Sequence, residues 1–218
     1  MHIVLTCGPA FFPLDSVRRL TNTSTGRLGA VLSDFFLSRG HAVTCFRGET
    51  ATFRGISEGV KLQEFGTNDD LEKGLAKLAA SGAKVDAILH AAALCDFGVE
   101  TICDAAGHPV QGAKLPSRAE GYTVRLKTLP KVINKLRVLF PDAYLIGWKY
   151  EMEGNHDRIA SLGRRQIAEA RTNLCVLNGP GWSEDGSFGL VGVDGEVEEA
   201  RDFVALAAGL MWRIEGGA

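Results

Sequence analysis

The sequence contains nothing close to the ~20 consecutive apolar residues of a membrane-spanning helix; its apolar runs are short and broken by Gly, Pro or charge. It also has no excess of positive charge. Lys and Arg number 24 against 26 Asp and Glu, so no global field draws in nucleic acid or an anionic membrane, and any bound anion must be held locally. The five cysteines (Cys7, Cys45, Cys95, Cys103 and Cys175) are odd in number and form no C-x-x-C pair. That argues against a zinc site or a disulfide framework and for reduced, mostly buried thiols. Met1–Thr6 has neither a basic segment nor a long apolar stretch, so no secretory leader is expected and the expected location is cytoplasmic. Two nucleotide signatures are missing as well: no G-x-G-x-x-G follows the first apolar run, and no G-x-x-x-x-G-K-[ST] occurs.

What is present is ordinary globular composition, 45% apolar and 23% charged over 218 residues, enough to bury a sizeable core. The buried-type runs Ile3–Thr6, Ala42–Phe46, Val85–Leu89, Ala143–Trp148 and Leu174–Leu177 read as strands, and Val60–Phe65 and Tyr122–Leu126 alternate like strands. Between them, helices are expected over Gly26–Arg39, ended by Gly40, and over Asn68–Ala80, capped by Asn68 or Asp69. Further helices are expected over Lys131–Phe140, opened by Pro130, over Asp157–Arg171, and over Glu198–Ile214 after a hairpin at Phe188–Gly195. This alternation predicts an α/β fold: a Rossmann-like parallel-sheet core with helices on both faces, plus a flexible flap over about 98–121 and a small antiparallel extension. A single domain over residues 1–218 is expected, with a frayed tail from Gly216.

In such a sheet ligands sit beyond the carboxyl ends of the strands. The loops Cys7–Gly26, Ala91–Gly98, Trp148–Asn155 and Asn178–Gly186 therefore converge on one crevice. Thr21-Asn22-Thr23-Ser24-Thr25-Gly26 opens a helix, and its hydroxyls with the free N–H groups behind them suit a phosphate or carboxylate. A plain Ser/Thr helix cap fits the same residues.

Thr6-Cys7-Gly8-Pro9, Pro13-Leu14-Asp15-Ser16-Val17-Arg18 and Thr21-Asn22-Thr23-Ser24-Thr25-Gly26-Arg27-Leu28-Gly29 together resemble the opening of the phosphopantothenoylcysteine synthetase family. Later landmarks follow in the family's order. They are Ala92-Ala93-Leu94-Cys95-Asp96-Phe97, Lys114-Leu115-Pro116-Ser117, Pro130-Lys131-Val132-Ile133, Gly147-Trp148-Lys149-Tyr150-Glu151 and Leu177-Asn178. The resemblance spans residues 2 to about 192. It implies joining of 4′-phosphopantothenate to cysteine through an acyl-nucleotidylate made from CTP or ATP with magnesium, by a homodimer. It also implies relatives fused to a flavin-dependent decarboxylase; no flavin is expected in this chain.

Carried over residue by residue, the resemblance makes Asn22 a hydrogen-bonding group for the substrate carboxylate or acyl phosphate. Lys114 becomes a flap cation for the departing pyrophosphate, and Arg18 a bidentate grip on an anion. Gly8, Ser24, Thr25, Gly26, Ala92 and Ala93 form the nucleotide seat. Asp96 becomes a partner for base, ribose or metal, Trp148 a wall for the base, and Asn178 a loop former. No protein metal ligands are expected. The chain departs from the family's pattern at Ala10, usually Thr; at Gly179, often Asp; and around Arg164-Arg165-Gln166, Glu169 and Ala170, where lysines are usual. Two other function classes fit an α/β nucleotide fold. A short-chain-type NAD(P) oxidoreductase would need Y-x-x-x-K, but Tyr122, Tyr144 and Tyr150 are followed four residues on by Leu126, Trp148 and Gly154. A nucleotide-binding relative without turnover is the other.

Overall fold

The computed structural model describes residues 1–110 and 112–216, so Gln111 of the expected flap and Gly217 and Ala218 of the expected frayed tail lie outside the described residues. The elements in chain order are β1 (His2–Cys7), β2 (Phe11–Pro13), β3 (Arg19–Thr21), α1 (Arg27–Ser38), β4 (Ala42–Gly48), β5 (Lys61–Phe65), α2 (Asn68–Ala80), β6 (Ala87–His90), β7 (Phe97–Asp104), β8 (Tyr122–Thr128), α3 (Ile133–Leu139), β9 (Tyr144–Tyr150), α4 (His156–Ala170), β10 (Leu174–Asn178), β11 (Phe188–Gly192), β12 (Val197–Ala200) and α5 (Phe203–Ile214).

One eight-stranded sheet runs β12-β11-β10-β9-β6-β1-β4-β5. Its six strands from β10 to β5 are parallel, and β11 and β12 add an antiparallel edge. The parallel strands inside the sheet are buried on both faces, which is why they read as unbroken apolar runs: Ile3, Val4, Leu5, Ile88, Leu89, Leu145 and Val176 are all closed to solvent. The edge strand β5, by contrast, is largely exposed and alternates. Leu32 and Phe36 of α1 and Leu206 and Leu210 of α5 pack on one face, against Ile3, Leu5 and Leu89. Leu71 and Leu75 of α2 and Ile133 and Leu136 of α3 pack on the other, against Val4, Ile88 and Leu145. α4 covers the β10–β11 end through Ile159 and Ile167. The chain runs outward from β1 through β4 to β5, then returns to the opposite side of β1 as β6. Strand order therefore reverses between β1 and β6, the place where such sheets bind ligands.

The structure differs from expectation in five places. The first loop contains a β2–β3 hairpin. The first part of the expected flap, residues 98–104, belongs to β7, which pairs antiparallel with β8 over Phe97–Asp104 and Tyr122–Thr128 with a bulge between Val99 and Thr101. The expected strand Tyr122–Leu126 is present in β8, while β7, in a ribbon that is separate from the main sheet and buries little, has no reason to alternate, and the bulge interrupts its pairing. Thr67 caps α2, in place of Asn68 or Asp69, reciprocally with Asp70. The last helix starts at Phe203, because Val197–Ala200 pairs with β11 and Asp202 supplies the cap by accepting the Ala205 N–H at 2.8 Å. Finally, α1 has no hydroxyl cap. Gly26 is its N-cap at φ 75°, and only Thr25 Oγ1 helps, accepting the Arg27 N–H at 3.2 Å.

The end of β1 and the start of α1 meet without side chains between them. A Cβ on Gly26 would lie 3.3 Å from Gly8 Cα, and a Cβ on Gly29 only 2.3 Å from Cys7 Cβ. Gly29→Ala is expected to destabilise the protein by about 2 kcal/mol, overpacking exceeding the ~1 kcal/mol gain in helix propensity. The shift of the urea midpoint measures it. Because the clash is with a Cβ, Cys7→Ala in the same chain should not restore stability.

Candidate active site

A cavity of about 640 Å³ opens at the carboxyl ends of the parallel strands, over the reversal between β1 and β6, a size that suits a nucleotide-class ligand. Three glycines shape its β1 side. Gly8 turns the chain at φ 77°, Gly26 brings backbone against backbone at φ 75°, and Gly29 lets α1 lie on Cys7. These are the three duties of the glycines in G-x-G-x-x-G. Here the first glycine is separated from the other two by the 17 residues of the insertion 9–25, which carries the β2–β3 hairpin. The fingerprint is present in space though absent from the sequence as a contiguous motif. The first turn of α1, whose N-cap Gly26 has no side chain to cap it, lies at the cavity with Ser24, Thr25 and Gly26 on the lining; Thr25 Oγ1 takes only the Arg27 N–H, so the next N–H groups and the helix dipole are open to an anion.

The loop after β6 is held to the loop after β1 by a backbone ladder. Ala91 N–H donates to Thr6 O at 3.0 Å, Ala93 N–H to Gly8 O at 2.9 Å and Ala10 N–H to Ala93 O at 3.0 Å. Ala92, Ala93 and Asp96 accordingly lie on the lining, as do Trp148 and Asn178 from β9 and β10. Asn22 lies there too, but its amide is engaged differently from expectation. Nδ2 donates to Ala93 O at 3.2 Å and to Leu94 O at 2.8 Å. Two carbonyls fix which end is the NH₂ group, so the atom left for a ligand is the acceptor Oδ1, which suits an N–H donor better than a carboxylate.

Arg18 and Lys114 lie outside the lining. Arg18 is committed to Asp15 at 3.1 Å and to Leu115 O at 3.2 Å. Asp15 in turn accepts the N–H groups of Leu115 at 3.0 Å, Val17 at 2.9 Å and Arg18 at 2.7 Å. Ser16 N–H donates to Ala113 O at 2.8 Å. Residues 113–116 are therefore latched onto the first hairpin, with Leu115 buried and Lys114 exposed. Arg18 fixes that latch and does not itself reach the cavity.

Several lining residues were not evident as site residues from spacing. Asn68, the first residue of α2, clamps Cys95 from both sides, accepting its N–H at 3.0 Å and donating to its carbonyl at 2.8 Å. Lys131 and Lys149 line the cavity, and an adjoining groove gathers them with Arg165 and Gln166; they were legible only as members of the later landmarks. Asp96 is the one carboxylate among the lining residues, against the cations Arg27, Lys131 and Lys149, a balance that suits a polyanion. The two thiols on the lining, Cys7 and Cys95, are held protonated at neutral pH. Cys7 is pushed up by its hydrogen bond with Cys45, 3.7 Å away, and by burial, and Cys95 is pushed up by burial and the neighbouring Asp96 charge. Gly179, at φ 103°, has no room for the aspartate common in the resembled family: a Cβ there would lie 2.5 Å from Glu151 O. Ala10 is fully buried, with only its backbone bonded to the neighbouring loops.

Residues 1–190 match the family of the DNA/pantothenate metabolism flavoprotein C-terminal domain. The chain belongs to this family. The coenzyme A biosynthesis bifunctional protein CoaBC of Thermococcus kodakarensis is 27% identical over 177 residues, 81% of this chain, and that of Bacillus subtilis is 27% identical over 179 residues. The chain spans about two-fifths of the length of these relatives, 41% and 40%. Solved structures share the fold. The DNA/pantothenate metabolism flavoprotein from Streptococcus pneumoniae superposes with a TM-score of 0.87 at 22% identity, covering 100% of both chains. The Cab2 H337A mutant, in complex with phosphopantothenate-cysteine, superposes with a TM-score of 0.77 at 15% identity, over 98% of this chain and 86% of that one. The flavoprotein-family chain carries no helix long and apolar enough to cross a membrane among its described residues.

The latch generates a prediction. Asp15→Ala should leave the sheet folded and release 113–116, so trypsin cleavage after Lys114 and Arg118 should accelerate several-fold; limited proteolysis reads it directly. The Leu115 N–H, followed by those of Val17 and Arg18, holds the Asp15 carboxyl below the usual carboxylate range. Its contribution is thus complete above the unfolded value near 3.9 and is lost only as pH falls through the lowered folded value. Cleavage of the wild-type protein should therefore be independent of this group from pH 6 to pH 9.

Proposed function

We propose that this chain is a phosphopantothenate–cysteine ligase, folded as one domain over residues 1–218. The observation that carries this reading is the cavity at the strand reversal, where an uncapped helix N-terminus faces Lys131 and Lys149 in a chain of this family. CoaBC relatives named for coenzyme A biosynthesis, and a fold neighbour complexed with phosphopantothenate-cysteine, support it.

In this reading the carboxylate of 4′-phosphopantothenate attacks the α-phosphorus of CTP or ATP, and pyrophosphate leaves. The amine of cysteine then attacks the acyl carbon of the resulting nucleotidylate, the acyl C–O bond breaks, and the nucleoside monophosphate departs. The α1 N-terminus with Ser24, Thr25 and Gly26 seats phosphate, while Gly8, Ala92 and Ala93 let the nucleotide approach the backbone. Trp148 walls the base. Asn22 Oδ1, the free acceptor of a clamped amide, accepts a hydrogen bond from the cysteine amine and so directs its lone pair at the acyl carbon. Arg18 acts through the latch, presenting Lys114 from the flap to the charge that develops on pyrophosphate.

Magnesium is implied by the family. Among the described residues no group of three or more His, Cys, Asp or Glu could hold a metal, and Asp96 is the cavity's single carboxylate. The residues fit an ion that arrives on the triphosphate, with Asp96 as its one protein carboxylate. Such an ion neutralises phosphate charge. Phe97 and Leu126 leave apolar surface exposed on the β7–β8 ribbon, which supports a two-fold homodimer with an isologous contact. Light scattering at micromolar concentration should give twice the chain mass, and a monomer would sink this part of the reading.

The test of activity is pyrophosphate release. It is expected only when a nucleoside triphosphate and 4′-phosphopantothenate are both present, with cysteine needed for release of the monophosphate. Release with no acid, or turnover that instead tracks NAD(P)H oxidation, would overturn the ligase. Lys114→Gln should lower kcat roughly a hundredfold, ~3 kcal/mol of transition-state stabilisation, with nucleotide Kd and melting temperature nearly unchanged. Normal turnover in that variant would return Lys114 to an ordinary surface lysine.

A further inference from the structure

His90 stands at the end of β6, opposite Thr6 of β1 on one side and Gly147 of β9 on the other. It is buried, and part of its surface lines the cavity. Nδ1 lies 2.9 Å from Thr6 Oγ1, and that oxygen also receives the Ala92 N–H at 3.3 Å. Thr6 is fully closed to solvent, so its hydroxyl proton must find an acceptor inside the protein. Nδ1 is the acceptor within reach among the described residues. The hydroxyl therefore donates to Nδ1, and the imidazole proton is on Nε2. Nε2 has no partner among the described residues, and it is absent from the buried polar atoms that are sealed off without one. With Nδ1 turned to Thr6, it is the polar edge His90 offers to the cavity.

The surroundings say what it offers that hydrogen to. Gly147 has no side chain, and a Cβ there would lie 2.4 Å from Gln166 Oε1 and 2.9 Å from Ile133 Cδ1. α3 and α4 therefore close down beside the imidazole, on the side where Lys131, Lys149, Arg165 and Glu169 border the adjoining groove, Arg165 paired with Glu169 at 3.7 Å and Lys149 with Glu151 at 3.5 Å. The charged groups around the cavity are Arg27, Lys131 and Lys149, with Asp96 as the single anion. An acceptor drawn to this floor carries negative charge. We infer that His90 positions a phosphoryl oxygen on the cavity floor by donating the Nε2 hydrogen to it. The identity of the phosphate, whether of the nucleoside triphosphate or of the phosphorylated acid, rests on the ligase reading; the hydrogen bond and its test do not. Burial holds the imidazole down, to about 4, so His90 acts as a neutral donor throughout the neutral range and does not serve as a proton shuttle.

The experiment is a long-range ¹H–¹⁵N spectrum of ¹⁵N-histidine-labelled full chain, with His90 assigned by its loss in His90→Gln. His90 should show the neutral Nε2–H pattern, unchanged from pH 6 to pH 8. CTP or ATP, or 4′-phosphopantothenate, should shift its Nε2 resonance, and the arm that does so names the source of the phosphate. Cytidine, adenosine and unphosphorylated pantothenate should leave it in place. His90→Phe should raise the Kd of the responding ligand about tenfold, the worth of one hydrogen bond. Thr6→Val, which keeps the shape and removes the donor to Nδ1, should mix the tautomers and weaken that ligand in the same direction. An Nδ1–H tautomer in the wild-type protein, protonation above pH 6, an equal response to cytidine, or an unchanged Kd in a folded His90→Phe would each overturn the inference. The titration needs no turnover. A chain that releases no pyrophosphate yet shows the His90 shift would lose the ligase reading and keep this one, and a ligase without the shift would do the reverse.

Discussion

The site depends on a contact made where side chains are missing. β1 ends and α1 begins so close together that Gly8, Gly26 and Gly29 leave no space for a Cβ between them, and Ala51 fills the space beside Gly8 and Gly26. This approach sets the left-handed turns at Gly8 and Gly26 and leaves α1 without a capping hydroxyl. It also points the first N–H groups of the helix over the end of the sheet. Hydroxyl-bearing residues are plentiful just upstream, yet the geometry demands a glycine at the cap itself, because few other residues tolerate φ near 75°.

Around that contact the chain uses backbone where a looser design would use side chains. The ladder from Thr6 through Gly8 to Ala10 continues the β1–β6 pairing past both strands, and Asn22 and Asn68 clamp the far end of the same loop. The loop after β6 is therefore held along most of its length, and its small residues present main chain to the cavity. Fixed backbone of this kind holds its geometry whether or not a ligand is present, which is what preorganised recognition requires. Opposite it the wall is made of long cationic side chains, Lys131 and Lys149, which can follow a ligand that the backbone cannot.

How much of this was legible depended on burial. The parallel strands announced themselves because both of their faces are covered, as at Ile88-Leu89 and Leu145-Ile146, and α2 matched its expected span residue for residue. β8 was legible over Tyr122–Leu126, but its partner β7 was not, since the ribbon stands off the sheet and few residues of β7 are buried. Among the expected site residues, most of those given to a nucleotide seat do lie on the cavity lining, because strand order alone brings Gly8, Ala92 and Asp96 to one crevice. What spacing could not convey was commitment. Asn22 spends its donors on the chain, and Arg18 spends its charge on Asp15. The Asn22 contact joins segments 71 residues apart, with no local pattern to betray it; the Asp15–Arg18 pair is local, but what fixes it is the distant Leu115 that both residues bind.

The latch between Asp15 and Leu115 has a consequence for the order in which the molecule assembles. It joins residues 100 positions apart and sits outside the main sheet. Closing so long a loop is entropically unfavourable until the intervening sheet has already brought its ends together. The latch therefore closes after the sheet has formed. By the same token it is the first part to open in partial unfolding, so residues 113–116 can come off the first hairpin at a small fraction of the global stability, with the sheet and the glycine contact left intact.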